Sequence, residues 1–340
     1  MGKKHRGFII TILLLVLALA GCSTKFSQAS NQSGSSDKKL VKVNFGVDTA
    51  AGGSLQFRIA KEKGIFKKYG IDAQLSNFAY GIDTINAMLV GRTETGIAAD
   101  YALLNSLNKG DVTVVSTLTR TTKEKGEETQ LFANGNIKDA KDLKGKKLGV
   151  AKGTVYEYVW SKYLEKNKIS EDDIQYVPYS TPDEAIVGLQ KGNIDAVWIG
   201  GALTDKFKKV DGVKEIADLN DSGVKINSYF VVQSSFVKQN PEVVTNTLKA
   251  LDEAVKYVDS HKEETAKLAF KELKVPEDDA HKDLERNNYV IGLTKADVEH
   301  LENMKEWLKD KKLLKQDYDL KSKIDVAPIK KAVPKSVDYK

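Results

Sequence analysis

Two short pairs of residues, Gly53-Ser54 and Gly153-Thr154, each follow an apolar run and each open a stretch of helical periodicity. Glycine lets a backbone approach a ligand closely, and first-turn N–H groups at the positive end of a helix dipole favour an anion. Ser54 and Thr154 add hydroxyls, so the two loops read as halves of an anion clamp. The plainer alternative is two capped turns. Gly81-Ile82-Asp83 opens another helix, where Asp83 is either an N-cap or a ligand-facing acid. Asp100 ends a strand and could accept from a ligand ammonium or cap the helix that follows. Val155 and Tyr156 continue the Thr154 loop, while Trp198 and Gly200 close a strand in the second half. Trp198 reads as a stacking or lid residue, or else as core. Tyr156, Tyr158 and Tyr229 are aromatic cleft candidates, with core packing the default for at least one.

Other chemistries find little support in the residue types. There is no G-x-S-x-G, no Walker A loop and no G-x-G-x-x-G, and the single cysteine, Cys22, leaves cysteine catalysis without a candidate. His261, His281 and His300 each lie in charged helical stretches and read as surface histidines, so no metal site is expected. Asp172 with Asp173, and Asp278 with Asp279, read as acids at helix starts or in loops. The pattern favours binding over catalysis, with no cofactor.

The elements that must carry these loops come twice. The first copy runs VKVNFGV, SLQFRIAKEKGIFKKYG, IDAQLSNF, then a helix ending at Gly91 and the strand GIAA. The second runs KKLGVAK, GTVYEYVWSKYLEKNK, ISEDDIQYVPY, then a helix ending at Gly192 and the strand AVWI. Phe78 and Tyr179, and Gly91 and Gly192, are each 101 residues apart, so the register holds. Strand, helix, strand, helix, strand implies an α/β chain with parallel strands and helices on both faces. GIAA and AVWI read as buried on two faces. The expected division is 41–130 with 230–340 as the first lobe and 131–229 as the second. The chain is expected to cross near Leu131 and Phe230, with helices only after residue 235.

The first 21 residues, with Lys3, Lys4 and Arg6 ahead of an apolar run from Phe8 to Ala20, read as an export signal. Leu19-Ala20-Gly21-Cys22 resembles a bacterial lipobox, which implies a lipid on Cys22 and a position on the outer face of the cell membrane. Residues 22–40 are Ser-rich and polar and read as a flexible tether. Of the net charge of +6, three charges sit in the leader, so the remaining surplus is no nucleic-acid footprint.

Four stretches in order, FAYGIDTINAMLVGRTETGIAAD, DLKGKKLGVAKGTVYEYVWSKYLEKN, TPDEAIVGLQKGNIDAVWIG and SFVKQNPEVVTNTLKALDEAVKYV, resemble the solute-binding proteins of ABC importers for nitrate, sulfonates and taurine, with the related thiamine-precursor binders. The resemblance implies a periplasmic-binding-protein type II fold, two lobes with mixed, mostly parallel sheets joined by a two-strand hinge. It places Gly53, Ser54, Gly81, Ile82, Asp83, Asp100, Gly153, Thr154, Val155 and Trp198 on the cleft loops. It implies a monomer that delivers a small organic anion to an ABC permease driven by a cytoplasmic ATPase. Where many members carry a Trp-Glu-Pro-like loop, this chain has Ile199-Gly200-Gly201-Ala202, so the ligand does not transfer. An alkanesulfonate or taurine is expected ahead of nitrate. The alternatives are a pyrimidine or other planar ring, and a secreted enzyme, which would need a histidine in the cleft.

Overall fold

The computed structural model describes residues 40–49, 54–200, 203–286 and 288–340. Cys22, Gly53, the leader and all but the last residue of the tether lie outside these residues. Two mixed sheets organise the chain. The first has six strands: β1 (Val41–Asp48), β2 (Ile71–Phe78), β3 (Thr95–Ala99), β4 (Thr113–Thr119), β10 (Ser228–Val232) and β11 (Tyr289–Gly292). The second has five: β5 (Thr129–Asn134), β6 (Lys147–Ala151), β7 (Gln175–Tyr179), β8 (Ala196–Gly200) and β9 (Val213–Asp218).

The sheet orders, β11-β4-β10-β3-β1-β2 and β7-β6-β8-β5-β9, expose the repeat in space. β1 pairs in parallel with β2 and β3, and β6 pairs in parallel with β7 and β8. The next strand in each sheet is antiparallel and arrives from the other lobe. It is β10 beside β3 in one and β5 beside β8 in the other. The chain therefore crosses at residues 120–128 and 219–227. Leu131 already lies within β5, and Phe230 already lies within β10.

Both sheets carry apolar strands covered on two faces, as parallel strands between helices require. In the first lobe Phe45 of β1 packs on Phe57, Phe66 and Phe230 with centroids 5.0–6.5 Å apart. Burying each such ring contributes on the order of 2–3 kcal/mol. Gly64, at φ +68, splits the first expected helix into Leu55–Glu62 and Ile65–Lys68.

One element departs from the expected helices-only end. The helix expected over 280–290 spans Glu277–Arg286, and Tyr289–Gly292 is a strand paired antiparallel with β4. Tyr-Val-Ile suits a pleated edge, and β4 would otherwise present an unpaired ladder. Among the described residues no helix is long and apolar enough to cross a membrane.

Candidate functional site

The carboxyl ends of the parallel strands of both sheets feed loops that start helices, where open α/β sheets bind ligands. The two edges meet. Ala79, Tyr80 and Ile82 of the first lobe pack into a cluster otherwise built from the second lobe, including Phe132, Ala151, Tyr156, Tyr179 and Ile199. A Cβ on Gly153 would lie 3.4 Å from Ile82 Cγ1. Ile82 and Gly153 therefore lie side by side where the two edges meet.

The Gly81 loop is built by close packing. A Cβ there would lie 2.8 Å from the Ile97 carbonyl oxygen and 2.9 Å from Ala98 Cα, so only glycine lets the helix Gly81–Leu89 start so near β3. Asp83 accepts from the Tyr80 N–H at 3.3 Å, which makes it the acid of a capping box.

The hydroxyls of the expected clamp are engaged inside the protein. Ser54 Oγ donates to the Asp48 carbonyl at 2.7 Å and accepts from Arg58 Nε at 3.2 Å. Thr154 Oγ1 donates to the Ala151 carbonyl at 2.7 Å and accepts from the Tyr156 N–H at 3.3 Å. Glu157 Oε2 accepts from the Gly153 N–H at 3.0 Å, so a carboxylate of the chain already sits at the start of the helix Val155–Lys166. These two hydroxyls shape their loops and have no proton left to donate to an anion.

Three further expectations are corrected. Trp198 is fully buried, edge-on to Trp160 at 6.0 Å and to Tyr163 at 5.3 Å, and belongs to the second lobe's core. Val155 is likewise a core residue. Tyr229 is fully buried on β10 and donates to the Asp297 carbonyl at 3.3 Å, inside the first lobe. In each case an apolar side chain on a doubly covered element gains more from packing than from facing solvent.

Asp100 and His300 form the largest departure. Asp100 is fully buried and accepts from His300 Nε2 at 2.7 Å, so this histidine stands at the cleft edge of the sheet rather than on the surface. Burial opposes the imidazole's charge, but the bond to Asp100 and its charge outweigh that and raise the His300 pKa above its ordinary value.

A group of tyrosines lies where the two edges meet. Tyr80 and Tyr179 are buried and approach across the boundary, yet neither hydroxyl makes a well-formed hydrogen bond. Burial, reinforced by neighbouring tyrosines, pushes both phenols well up, so they stay protonated as donors. Tyr156 is half-buried beside Gly200, where a Cβ would lie 3.2 Å from its hydroxyl and 2.7 Å from Thr129 Oγ1. Burial and then the Asp48 carboxylate raise the Tyr156 pKa. Gln56, in the first turn of the helix Leu55–Glu62, is fully buried with both amide atoms unpartnered. A buried polar atom without a partner costs about 1–3 kcal/mol, which makes such atoms markers of a ligand or water site.

Sequence reasoning did not single out Tyr179 or Gln56, and it read His300 as a surface histidine. Tyr179 had a signal, because it aligns with Phe78 at the same sheet edge. Among the described residues no group of three or more His, Cys, Asp or Glu is placed to hold a metal ion.

The profile of the NMT1/THI5-like family matches residues 54–265, from the Ser54 turn through both cleft edges. The chain belongs to that family. A Bacillus subtilis relative provisionally named an aliphatic sulfonates-binding protein is 26% identical over 274 residues, covering 76% of each chain. The periplasmic aliphatic sulphonate binding protein SsuA from Escherichia coli superposes with a TM-score of 0.70 at 21% identity, over 84% of this chain and 92% of that one. The desulfurization enzyme DSZB superposes with a TM-score of 0.65 at 15% identity, over 86% and 99%. The fold is the type II periplasmic-binding-protein fold, and within it the same two-lobed frame serves a binding protein and an enzyme.

Proposed function

We propose that this family member is the extracytoplasmic solute receptor of an ABC importer, closing its two lobes on a small organic anion. An aliphatic sulfonate or taurine is the favoured ligand. The observation that carries the reading is the meeting of Tyr80 with Tyr179 and of Ile82 with Gly153 between the lobes, with buried hydroxyls left unpartnered. Neutral donors in a dry cleft suit a sulfonate, whose three oxygens accept hydrogen bonds and whose charge needs no paired cation when donors converge on it. The B. subtilis relative's name points the same way. The second lobe's helix start, closed by Glu157, supplies less than the sequence suggested, so the donors are Gln56 and the tyrosines.

A planar ring is the second reading, favoured by the same tyrosine trio, which offers faces as well as hydroxyls. The enzyme reading is weaker, because the B. subtilis relative carries a binding protein's name, although a histidine bonded to a buried carboxylate would itself suit a general base. The remaining parts of the proposal are a lipid on Cys22, delivery to a membrane permease and action as a monomer.

Thermal-shift screening against taurine, ethanesulfonate, nitrate and a pyrimidine tests the ligand. A ligand at a hundred times its Kd stabilises by about 2.7 kcal/mol, a rise of several degrees. The sulfonates should give that rise; a rise with the pyrimidine alone would replace the first reading by the second. For the anchor, Cys22→Ala should abolish fatty-acid labelling.

A further inference from the structure

Asp100 is the point to which both crossings between the lobes are tied. Its N–H donates to the Asn227 carbonyl at 3.0 Å, and its Oδ2 accepts from the Asn227 N–H at 3.0 Å. Its Oδ1 accepts from the Tyr101 N–H at 2.9 Å. Asn227 ends the second crossing, and its Oδ1 accepts from the N–H of Thr121 in the first crossing at 3.0 Å. Thr121 Oγ1 also donates to the Ile226 carbonyl and accepts from the Ile226 N–H. Moving one crossing relative to the first lobe therefore strains bonds in the other.

His300 completes this knot from the helix Lys295–Asp310. Seven residues on and on the same helix face, Trp307 packs edge-on against Tyr158 of the second lobe at 4.6 Å. Tyr158 in turn lies 6.4 Å from Tyr101, the residue after Asp100. One face of one helix thus touches both the hinge anchor and the opposite lobe.

Resting on the receptor reading above, we propose that His300 is a positioning residue for solute capture, its imidazolium holding Asp100 and so fixing the angle at which the two crossings let the lobes close. A neutral imidazole keeps a donor for the bond but loses the charge that makes it strong. The groups facing His300 are Asp100 after β3, Lys225 on the second crossing and Asp297 on its own helix. Lys225 opposes the charge and both acids favour it, Asp297 being shared with Arg120 at the end of β4. The Tyr158 and Tyr229 hydroxyls border Asp100 and stay protonated, because burial and then that carboxylate raise both. With a pKa raised above about 6.5, the His300 clamp is complete in acid and loosens as pH rises beyond that value.

The test compares the wild type with His300→Gln, which keeps a donor without a titrating charge, from pH 5.5 to 9. Ligand-free protein is followed by small-angle scattering and thermal melting, and ethanesulfonate and taurine are titrated calorimetrically. The wild type should expand and melt earlier above neutral pH, and its Kd should weaken about fivefold, within the usual range of site coupling. His300→Gln should be flat in all three. Proton NMR of the His300 ring in the wild type should give a midpoint above 6.5, and this reading needs no variant to fold. A midpoint below 6.5, or identical profiles for the two proteins, overturns the proposal and leaves the receptor reading intact. If neither sulfonate binds while the ligand-free profiles differ as described, the hinge role stands and the sulfonate reading falls.

Discussion

Ile82 of the first lobe and Gly153 of the second are neighbours across the cleft, close enough that a Cβ on Gly153 would touch the Ile82 side chain at 3.4 Å. Gly153 also has φ +75, where an L side chain costs roughly 1–2 kcal/mol. Gly153→Val combines backbone strain with a wedge between the lobes. Its melting temperature should fall by a few degrees, while its ligand affinity should fall disproportionately. Equal affinity for ethanesulfonate in the variant and the wild type would show that closure does not bring these residues together.

Gly81→Ala tests a different constraint. The new methyl would be driven against the Ile97 carbonyl and Ala98 Cα, both backbone, so neither can rotate away. Overpacking of this kind costs about 1–3 kcal/mol. Urea denaturation should show that loss, with the slope of free energy against denaturant unchanged.

Tyr179→Phe and Tyr80→Phe separate binding from stability. Each removes a buried hydroxyl that has no well-formed bond, so the ligand-free protein should melt at the same temperature or slightly higher. If the hydroxyls serve a sulfonate, affinity should drop about tenfold or more for each, as losing a hydrogen bond to a charged group implies. Unchanged affinity in both would move the ligand away from this trio.

Trp198→Ala should behave as a core deletion. The ring is fully buried against Trp160 and Tyr163, and truncation of such a residue costs about 3–5 kcal/mol. Trp198→Phe should retain most of the wild-type affinity, because the ring is not a wall of the cleft. Strong loss of binding in a well-folded Trp198→Phe protein would restore the stacking role.

These outcomes follow where sequence and structure part. The repeat, spaced by 101 residues between Phe78 and Tyr179, carried the sheets and the cleft edge, because periodic burial leaves a pattern in residue types. Of the two readings open for Trp198, the core one was already favoured by AVWI, which reads as buried on both faces. Glu157 was readable too, since Thr154 and Glu157 have the spacing of a capping box. In the structure that carboxylate binds the Gly153 N–H. The cap bond from the Tyr156 N–H to Thr154 matches the capped-turn alternative, but the carbonyls to which Ser54 and Thr154 donate were not readable, because their direction depends on the turn. The pairing of Asp100 with His300 joins residues 200 positions apart through tertiary packing that no local pattern encodes.

Arg120 and Asp297 give a prediction in acid. The guanidinium makes two bonds of 2.7 Å to a carboxylate that is 2% exposed, joining the end of β4 to the helix Lys295–Asp310. Burial alone would raise the Asp297 pKa, but Arg120 and the Thr294 N–H together hold it below the usual value. A carboxyl with a depressed folded pKa stabilises the protein above its unfolded value, near 3.9, and that contribution is lost as pH falls through the folded value. Asp297→Asn should remove it. The wild-type advantage in melting temperature over the variant should be constant at neutral pH and shrink below about pH 4. Arg120→Ala leaves a buried carboxylate without its cation and should cost more, about 3–5 kcal/mol. Because Arg120 also opens the first crossing, that variant should expand the ligand-free protein in scattering, whereas a purely local loss would lower the melting temperature and leave the dimensions unchanged.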